Sequence, residues 1–189
     1  MKTSLLSAIF LSVMFICSAV QLKSKTLWEG EFTPYSASES FEVFKNEWVL
    51  PQRGQGRLKF QAKFISNEVK DLHVGFSPIF GMQNPMYQLV LGGWGNTKSV
   101  LRNRVLGDEI CGNNFSKIPD AEWHEWWIDV DNTTKSIFAW IDGQLFFSCS
   151  DAKFQGQVLF FSIIGCCGGK PLIRNVSVEP LAGYANLLQ

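Results

Sequence analysis

The clearest pattern in the chain is the alternation in Leu58–Phe64, which reads LKFQAKF. Apolar and polar side chains take turns there, and this period of two predicts a β-strand with one buried and one solvated face. Shorter runs of the same kind follow at Leu72–Ser77, Tyr87–Leu91, Ser99–Val105, Trp126–Val130, Ser136–Ile141, Leu145–Ser148, Val158–Ile164 and Leu172–Val178. About nine or ten strands separated by turns predict an all-β fold, an antiparallel β-sandwich of jelly-roll or lectin-like shape.

Turn residues support this interpretation. The pair Asp142-Gly143 separates two of the predicted strands, and Asp-Gly in that position is typical of a two-residue β-hairpin. Nowhere do apolar residues recur at helical spacing behind a cap over about ten positions, so we expect almost no helix.

Composition limits the class of protein. The chain has 189 residues, of which 46% are hydrophobic, enough for one domain with a substantial core. Its 17 basic residues are balanced by 17 acidic ones, so it lacks the basic surface that binds nucleic acid. We therefore expect no nucleic-acid partner.

The first residues predict the compartment. Lys2 precedes an apolar run, Leu5–Val20, that is broken only by serines and ends in the small-residue pattern Cys17-Ser18-Ala19. This is typical of a secretory signal peptide over residues 1–19, and its apolar core is shorter than the roughly 20 residues that cross a bilayer. We expect no membrane span, a single secreted, extracellular domain over residues 20–180, and a C-terminal tail at 181–189.

The cysteines also suit a secreted chain. Removal of the signal peptide would take Cys17 away and leave Cys111, Cys149, Cys166 and Cys167. An even number predicts two disulfides, although spacing leaves three pairings open. Because adjacent cysteines would close a strained small ring, we expect Cys166 and Cys167 each to bond one of the other two. Zinc is the alternative, but no pair has C-x-x-C spacing and both histidines lie far away, so we expect no metal.

Three sequons agree with passage through the secretory pathway. They begin at Asn114, Asn132 and Asn175. The first two fall in predicted loops, so we expect them to be the better glycosylation sites.

The central motifs carry a family resemblance. Tyr87–Arg102 reads YQLVLGGWGNTKSVLR, and Asp71–Ser77 before it reads DLHVGFS. Together they resemble the core motif of the farnesoic acid O-methyltransferase domain family. Trp127–Val130 (WIDV) and Ile137–Gly143 (IFAWIDG) are similar to the family's later strands. The resemblance extends over Phe41–Val178, nearly the whole mature chain.

One later motif departs from the family pattern. The family usually has a second glycine-tryptophan-glycine turn late in the domain, and here Gly165–Gly169 reads GCCGG, without the tryptophan.

The resemblance implies an enzyme that methylates a sesquiterpenoid carboxylate from S-adenosylmethionine. Nucleotide cofactors of this kind are held where a glycine-rich turn joins a strand to a helix. Gly92, Gly93 and Gly95 instead lie between two predicted strands. We therefore expect no cofactor and favour a domain that binds rather than transforms its ligand.

Two other chemistries have candidate residues in the sequence. Glu125, Asp129 and Asp131 alternate along one predicted strand, and paired carboxylates are how glycoside hydrolases act, but a solvated sheet face explains them as well. His73 and His124 have no Ser or Cys at a recognisable spacing, so a nucleophilic triad is unsupported. We expect no catalytic residue.

Recognition of a ligand is the remaining function. Trp94 lies between glycines on a predicted turn, and an exposed indole beside amide and guanidinium donors suits the apolar face and hydroxyl rim of a sugar. The predicted ligand-binding residues are Trp94, Asn96, Arg102, Arg104, Trp127 and Trp140. The structural alternative is that Trp94 folds back as a plug and the arginines pair with nearby acids.

We thus predict a secreted, non-catalytic binding module for carbohydrate or a small acidic or apolar ligand. Farnesoic acid methyltransferase activity and a purely structural or interaction role outside the cell are the alternatives. The partner is a glycan or small molecule, and the oligomeric state stays open.

Overall fold

The computed structural model describes residues 25–28, 31, 55–77, 86–113, 117–150, 160–164 and 171–181. Eleven strands lie within these residues. In chain order they are β1 (Lys25–Trp28), β2 (Gln55–Phe64), β3 (Leu72–Ser77), β4 (Tyr87–Gly92), β5 (Lys98–Asn103), β6 (Asp108–Asn113), β7 (His124–Asp131), β8 (Ser136–Ile141), β9 (Gln144–Cys149), β10 (Phe160–Ile164) and β11 (Pro171–Glu179). The single helical segment among the described residues, α1 (Gly93–Asn96), is one turn between β4 and β5.

The strands form two antiparallel sheets. One has six strands in the order β1-β11-β2-β7-β8-β9, and the other has five in the order β10-β3-β4-β5-β6. Every described pairing is antiparallel. The predicted all-β sandwich with little helix is confirmed.

The core lies between the sheets and follows the alternation in the sequence. Leu58, Phe60, Ala62 and Phe64 of β2 are buried, while the residues between them are partly exposed. The five-stranded sheet adds side chains such as Phe76 to the same apolar cluster. The sides of the sheets that face away from this shared core are called their outer faces below.

The predicted hairpin is also present. Ile141 of β8 pairs with Gln144 of β9, leaving Asp142 and Gly143 as a two-residue turn. Both have positive φ, 49° and 78°, which is the backbone that makes Asp-Gly favourable here.

Two strands were missed from the sequence. β6 reads DEICGN, with two charged residues and a glycine, and shows no apolar alternation. It forms because it pairs with β5 at the edge of the five-stranded sheet. β1 is similarly an edge strand, paired with β11.

The disulfide pairing differs from the one expected. Cys111 bonds Cys149, with Cα atoms 5.8 Å apart. The bond joins β6 and β9, which are edge strands of the two different sheets, so it clips the sandwich together along one side. The expectation that Cys111 and Cys149 would each bond one of the adjacent cysteines is therefore wrong. The spacing of the cysteines does not show that β6 and β9 become neighbouring edge strands of the two sheets. Cys166 and Cys167 lie outside the described residues.

The ends of the chain carry predictions that the described residues do not reach. The signal peptide at residues 1–19 lies outside them, as does nearly all of the predicted tail. The part of the chain that the structure describes contains no helix with the length and apolar character that a membrane crossing requires.

Candidate functional site

The structure divides the predicted ligand-binding residues between two surfaces. Those from the β4–β5 hairpin belong to the five-stranded sheet, whereas Trp127 and Trp140 face each other across β7 and β8 on the six-stranded sheet. Neighbours of the two tryptophans along the strands, Trp126 and Ile141, are buried in the core, so the tryptophans lie on the outer face. The predicted patch is therefore two patches on opposite sides of the sandwich.

The turn that carries Trp94 is left-handed. Trp94 has φ 54° and ψ 50°, and Gly95 and Asn96 beside it also have positive φ. A left-handed backbone costs a residue with a side chain about 1–2 kcal/mol. Such strain persists only where the surroundings hold it, and it is often found at binding sites.

Asn96 supplies part of that hold. Its Nδ2 donates to the carbonyl oxygen of Ile118 at 2.7 Å, and its Oδ1 accepts from the Ile118 amide, also at 2.7 Å. The side chain thus imitates one step of strand pairing and ties the turn to a buried residue. Both ends of the amide are engaged, so Asn96 in this structure positions the turn.

Trp94 itself is exposed. Its relative exposure is 49%, so it does not fold back as a plug. The Arg102 guanidinium carbon lies 4.6 Å from the ring centroid and the Lys98 Nζ lies 5.1 Å from it, both in the range of cation–π contacts. Glu109 holds both cations in place, at 2.6 Å from Lys98 and 3.2 Å from Arg102. We call Trp94, Lys98, Arg102 and Glu109 the Trp94 platform.

The alternative to a binding site was that Trp94 is a plug and that the arginines pair with nearby acids, and the ion pairs of the platform agree with the second part of it. Arg102 does pair with an acidic residue, Glu109, as that alternative proposed. The hydrogen bond from Lys98, followed by the one from Arg102, lowers the pKa of the Glu109 carboxyl. The carboxylate is therefore charged at neutral pH and keeps the two cations together under the indole.

A polar network lies next to the platform on the same face. Gln88 Nε2 is 2.8 Å from His73 Nδ1, and Arg104 Nη1 donates to Gln88 Oε1 at 3.2 Å. Gln88 is also the cross-strand partner of Arg102. The structure therefore brings Arg102 and Arg104 together, as expected, around two residues that were not predicted.

His73 and Gln88 are almost completely buried, at 4% and 1% exposure. Burial, followed by the charges of Arg102 and Arg104, lowers the pKa of His73 to about 4. The sequence did contain a signal for them, since each is a polar residue between two core residues of a predicted strand. What it lacked was the register that joins β3 to β4.

A buried carboxyl lies beneath the turn. Asp71 Oδ1 has no hydrogen-bond partner, and a Cβ added to Gly93 would stand 3.9 Å from it. Burial raises the pKa of Asp71 to about 6.

The outer face of the six-stranded sheet is organised by ion pairs. Asp129 is buried and accepts two bonds from Arg57, at 2.5 and 2.8 Å, and one from Trp140 Nε1 at 3.1 Å. Arg57 also lies 4.8 Å from the Trp127 ring centroid. The neighbouring carboxylate, Asp131, accepts bonds from Gln55 and from backbone amides of its own turn. Two of the three carboxylates considered for hydrolysis, Asp129 and Asp131, are thus engaged in hydrogen bonds within the protein, and the third, Glu125, lies 3.7 Å from the Lys59 Nζ.

His124 contacts two aspartates, one from each of its ring nitrogens. Its Nδ1 is 2.6 Å from Asp142 and its Nε2 is 3.0 Å from Asp120, so it joins the β8–β9 turn to the segment before β7. Among the residues that the structure describes, no cluster of three or more His, Cys, Asp or Glu side chains could hold a metal ion.

Sequence comparison assigns the family. A family model described as farnesoic acid O-methyl transferase matches residues 33–171. The chain belongs to the farnesoic acid O-methyltransferase family. The resemblance found in the central motifs is thereby confirmed. No curated protein sequence matches the chain.

Solved structures show the fold of this family member to be shared with lectins. The Caenorhabditis elegans galectin LEC-6 is 12% identical, with a TM-score of 0.51, and the match covers 79% of this chain and 95% of the galectin. The carbohydrate recognition domain of Emp46p is 9% identical, with a TM-score of 0.51, over 84% of this chain and 88% of that domain.

A sialidase is similar at 10% identity and a TM-score of 0.50, over 71% of this chain but 14% of the sialidase. At these identities the likenesses show a common β-sandwich architecture.

The glycine-rich stretch of this family member joins two antiparallel neighbours. Gly92 ends β4, and β5 begins at Lys98 and pairs back onto β4. Nucleotide cofactors are usually held at a glycine-rich turn that leads from a strand into a helix. In this chain the turn leads into a strand instead.

Proposed function

We propose that the chain is a secreted, non-catalytic binding module that recognises carbohydrate on the outer face of its five-stranded sheet. The observation that carries this proposal is the exposed Trp94 indole, held in a left-handed turn above Arg102 and Lys98. A rigid aromatic surface beside charged hydrogen-bonding groups is the usual way in which proteins bind a sugar ring.

A sugar ring has an apolar face and a polar edge, and the platform has groups that can contact both. The C–H face of a pyranose is apolar and can lie against the exposed part of the indole, while its hydroxyls can bond Arg102 or Glu109 at the edge. Because the turn is held by Asn96 before any ligand arrives, little ordering remains to be done on binding.

Secretion is supported by the Cys111–Cys149 disulfide. Disulfides persist in oxidising compartments and are rare in the cytosol. The predicted signal peptide supports the same location. N-terminal sequencing of the protein secreted from expressing cells tests it directly, since cleavage after Ala19 leaves Val20 first.

A glycan array tests the proposal. The mature protein, with its disulfide intact, should bind at least one class of glycan, and Trp94→Ala should reduce that binding at least about tenfold, as expected for loss of an aromatic stacking partner. Leu145→Ala is the matched control, because Leu145 is also an exposed apolar residue, at 52%, and belongs to the other sheet. Equal binding by both variants would contradict the proposal.

Methyl transfer is the second candidate, and family membership is the observation that favours it. In that reaction a carboxylate oxygen of farnesoic acid takes the methyl group of S-adenosylmethionine and S-adenosylhomocysteine leaves. Incubation of the purified protein with both substrates and chromatography for the methyl ester tests it. A product that forms with the protein and not with buffer would favour the enzyme over the binding module. Absence of both ester and glycan binding would leave an extracellular structural or interaction role.

A further inference from the structure

A short path of contacts connects the turn that carries Trp94 to a histidine on the other sheet. Asn96 in that turn bonds the backbone of Ile118 in both directions, each time at 2.7 Å. Two residues further along the chain, Asp120 lies 3.0 Å from Nε2 of His124, the first residue of β7. A change at His124 can therefore reach the turn through three consecutive residues of the chain.

The segment that makes these contacts depends on a few anchors. Residues 117–123 form neither helix nor strand, and Pro119, whose ring fixes φ, makes the link between the two contacts stiff. The segment is held by Ile118 in the core, by the Phe64 amide, which donates to its backbone at 3.0 Å, and by His124. Among these anchors, the histidine is of the residue type whose charge changes between about pH 5 and pH 8.

The two contacts of His124 require a protonated ring. Nδ1 is 2.6 Å from Asp142 and Nε2 is 3.0 Å from Asp120, and an ionised carboxylate can only accept hydrogen bonds. The pKa of the Asp120 carboxyl is lowered by the Glu122 amide and then by His124, so Asp120 is ionised at neutral pH. Both ring nitrogens must carry a proton for both bonds to exist, and the ring is then a cation.

Loss of one proton releases Asp120 rather than Asp142. The Asp142 contact is the shorter of the two, and the Glu125 amide fixes the other oxygen of Asp142 at 2.9 Å. The remaining proton therefore stays on Nδ1. The lone pair of Nε2 then faces the Asp120 carboxylate and repels it, and the Asp120 side chain, which is 52% exposed, can turn away into water.

We propose that His124 is a positioning residue for the Trp94 platform. Its protonated ring holds the segment that Asn96 bonds, so the platform binds its ligand more tightly at mildly acidic pH than at mildly alkaline pH. The stabilisation is present while the ring is charged and is lost as the pH rises and the ring becomes neutral. This inference rests on the proposed function, because it describes how the same site is regulated.

The effect should be small. Ile118 stays in the core and the bond from Phe64 remains when Asp120 is released, so the turn is loosened and not freed. We expect about a two- to fivefold change, which is the range for one partly exposed charge pair.

Other charged groups face His124 or its partners from each neighbouring strand and segment. They are Asp142, Glu122, Glu125, Lys59, Lys63 and Lys70. Lysine and carboxylate side chains ordinarily titrate well outside the range from pH 5 to pH 8. Asp71 beneath the turn is the exception, because burial raises its pKa to about 6. The second histidine of the chain, His73, has its pKa lowered to about 4.

The test follows the Ile118 amide, which donates to Asn96 Oδ1. Its hydrogen exchange is measured by NMR in the mature, oxidised protein at about pH 5.5 and about pH 8, on either side of the histidine range. The same rates are measured in Asp120→Asn, whose amide can accept from the charged ring and donate to the neutral one, so that the contact persists at both pH values. The ratio of the two rates removes the intrinsic effect of pH on exchange.

We expect the Ile118 amide of the wild type to exchange about two- to fivefold faster than that of Asp120→Asn at the alkaline pH, and no faster at the acidic pH. His124→Gln, which is uncharged throughout, should exchange at both pH values as the wild type does at the alkaline one. Asp71→Asn is the matched control, because Asp71 titrates in the same range beneath the same turn, and it should keep the dependence on pH.

The glycan array, read at the same two pH values, measures the consequence for binding. The wild type should bind about two- to fivefold more tightly at the acidic pH, and Asp120→Asn should bind equally at both. Equal binding by the wild type at both pH values would overturn the regulation of the site by His124.

The exchange measurement keeps this inference separate from the proposed function. A ratio of exchange rates that does not change with pH would overturn the role of His124, whatever the array shows. A dependence on pH that disappears in Asp71→Asn and survives in Asp120→Asn would also overturn it. Absence of binding to any glycan would defeat the proposed function, while the exchange of Ile118 would still decide whether His124 holds the turn. Near-UV circular dichroism checks each fold, and if His124→Gln does not fold, Asp120→Asn decides the result.

Discussion

Two glycines in the turn that carries Trp94 share a backbone conformation but not their surroundings. Gly92 has φ 70° and Gly95 has φ 69°. A Cβ on Gly92 would collide with the carbonyl oxygen of Lys70 and stand 2.7 Å from Cδ1 of Ile118, whereas a Cβ on Gly95 would meet nothing within 4 Å. Alanine at each position therefore separates backbone strain from steric crowding.

The expected losses of stability follow from these surroundings. A left-handed alanine costs about 1–2 kcal/mol, and the stiffer unfolded chain returns about 0.4–1 kcal/mol, so Gly95→Ala should lower the free energy of unfolding by about 1 kcal/mol. Gly92→Ala carries the same strain and a further overpacking cost of about 1–3 kcal/mol. The crowding cannot relax cheaply, because one neighbour is backbone and Ile118 is 1% exposed in the core. Its total loss should be about 2–4 kcal/mol.

Urea unfolding followed by tryptophan fluorescence measures both losses, with the disulfide kept oxidised. The comparison is valid when the two variants have the same dependence of free energy on urea, because the unfolded reference is then unchanged. Equal losses in Gly92→Ala and Gly95→Ala would refute the crowding argument. A larger loss in Gly95→Ala would refute the description of the turn.

Further predictions concern pH, the disulfide and glycosylation. Because the pKa of Asp71 is raised to about 6 from 3.8, its burial destabilises the fold above pH 6, and this cost disappears below about pH 4. As the pH rises from 4 to 7, the free energy of unfolding of Asp71→Asn should therefore increase by about 1–3 kcal/mol relative to that of the wild type, as measured by urea titration at each pH. A difference between the two proteins that stays constant with pH would disprove this. Replacing Cys111 and Cys149 by serine should lower the free energy of unfolding by about 4 kcal/mol, because the disulfide closes a loop between residues 38 positions apart and so limits the entropy of the unfolded chain. A loss below about 1 kcal/mol would show that the bond does not constrain the unfolded chain. When the protein is expressed in cells that carry out N-glycosylation, peptide mass spectrometry should find a glycan on Asn175, which is exposed, and none on Asn132, which is 5% exposed. A glycan on Asn132 would contradict the burial of that side chain.

The glycosylation prediction reverses the order of Asn132 and Asn175 that was taken from the sequence, while Asn114 lies outside the described residues. Asn132 lies in a turn, as expected, but its side chain is buried. Asn175 lies in β11, yet it is exposed, at a register shift with β2 and with φ 53°. Loop or strand membership is therefore a poor guide to accessibility, which depends on what packs against the side chain.

Local features of the chain were predictable because they depend on near neighbours along it. Alternation in β2 indicated which side chains face the core, and Asp142-Gly143 indicated a hairpin, since both follow from backbone geometry over a few residues. The glycines around Trp94 likewise indicated a turn that needs positive φ. Trp94 is exposed, which is one of the two alternatives that the sequence left open for it.

Features that join distant strands were not predictable. Alternation states which residues share a face of one strand, but not which sheet that strand enters, so Trp94 and Trp127 were assigned to one patch although they lie on opposite faces. Strand β6 exists because β5 offers it hydrogen bonds. The Cys111–Cys149 bond and the contact of His73 with Gln88 depend on strand order and register, which arise only when the whole chain packs its apolar faces into one core.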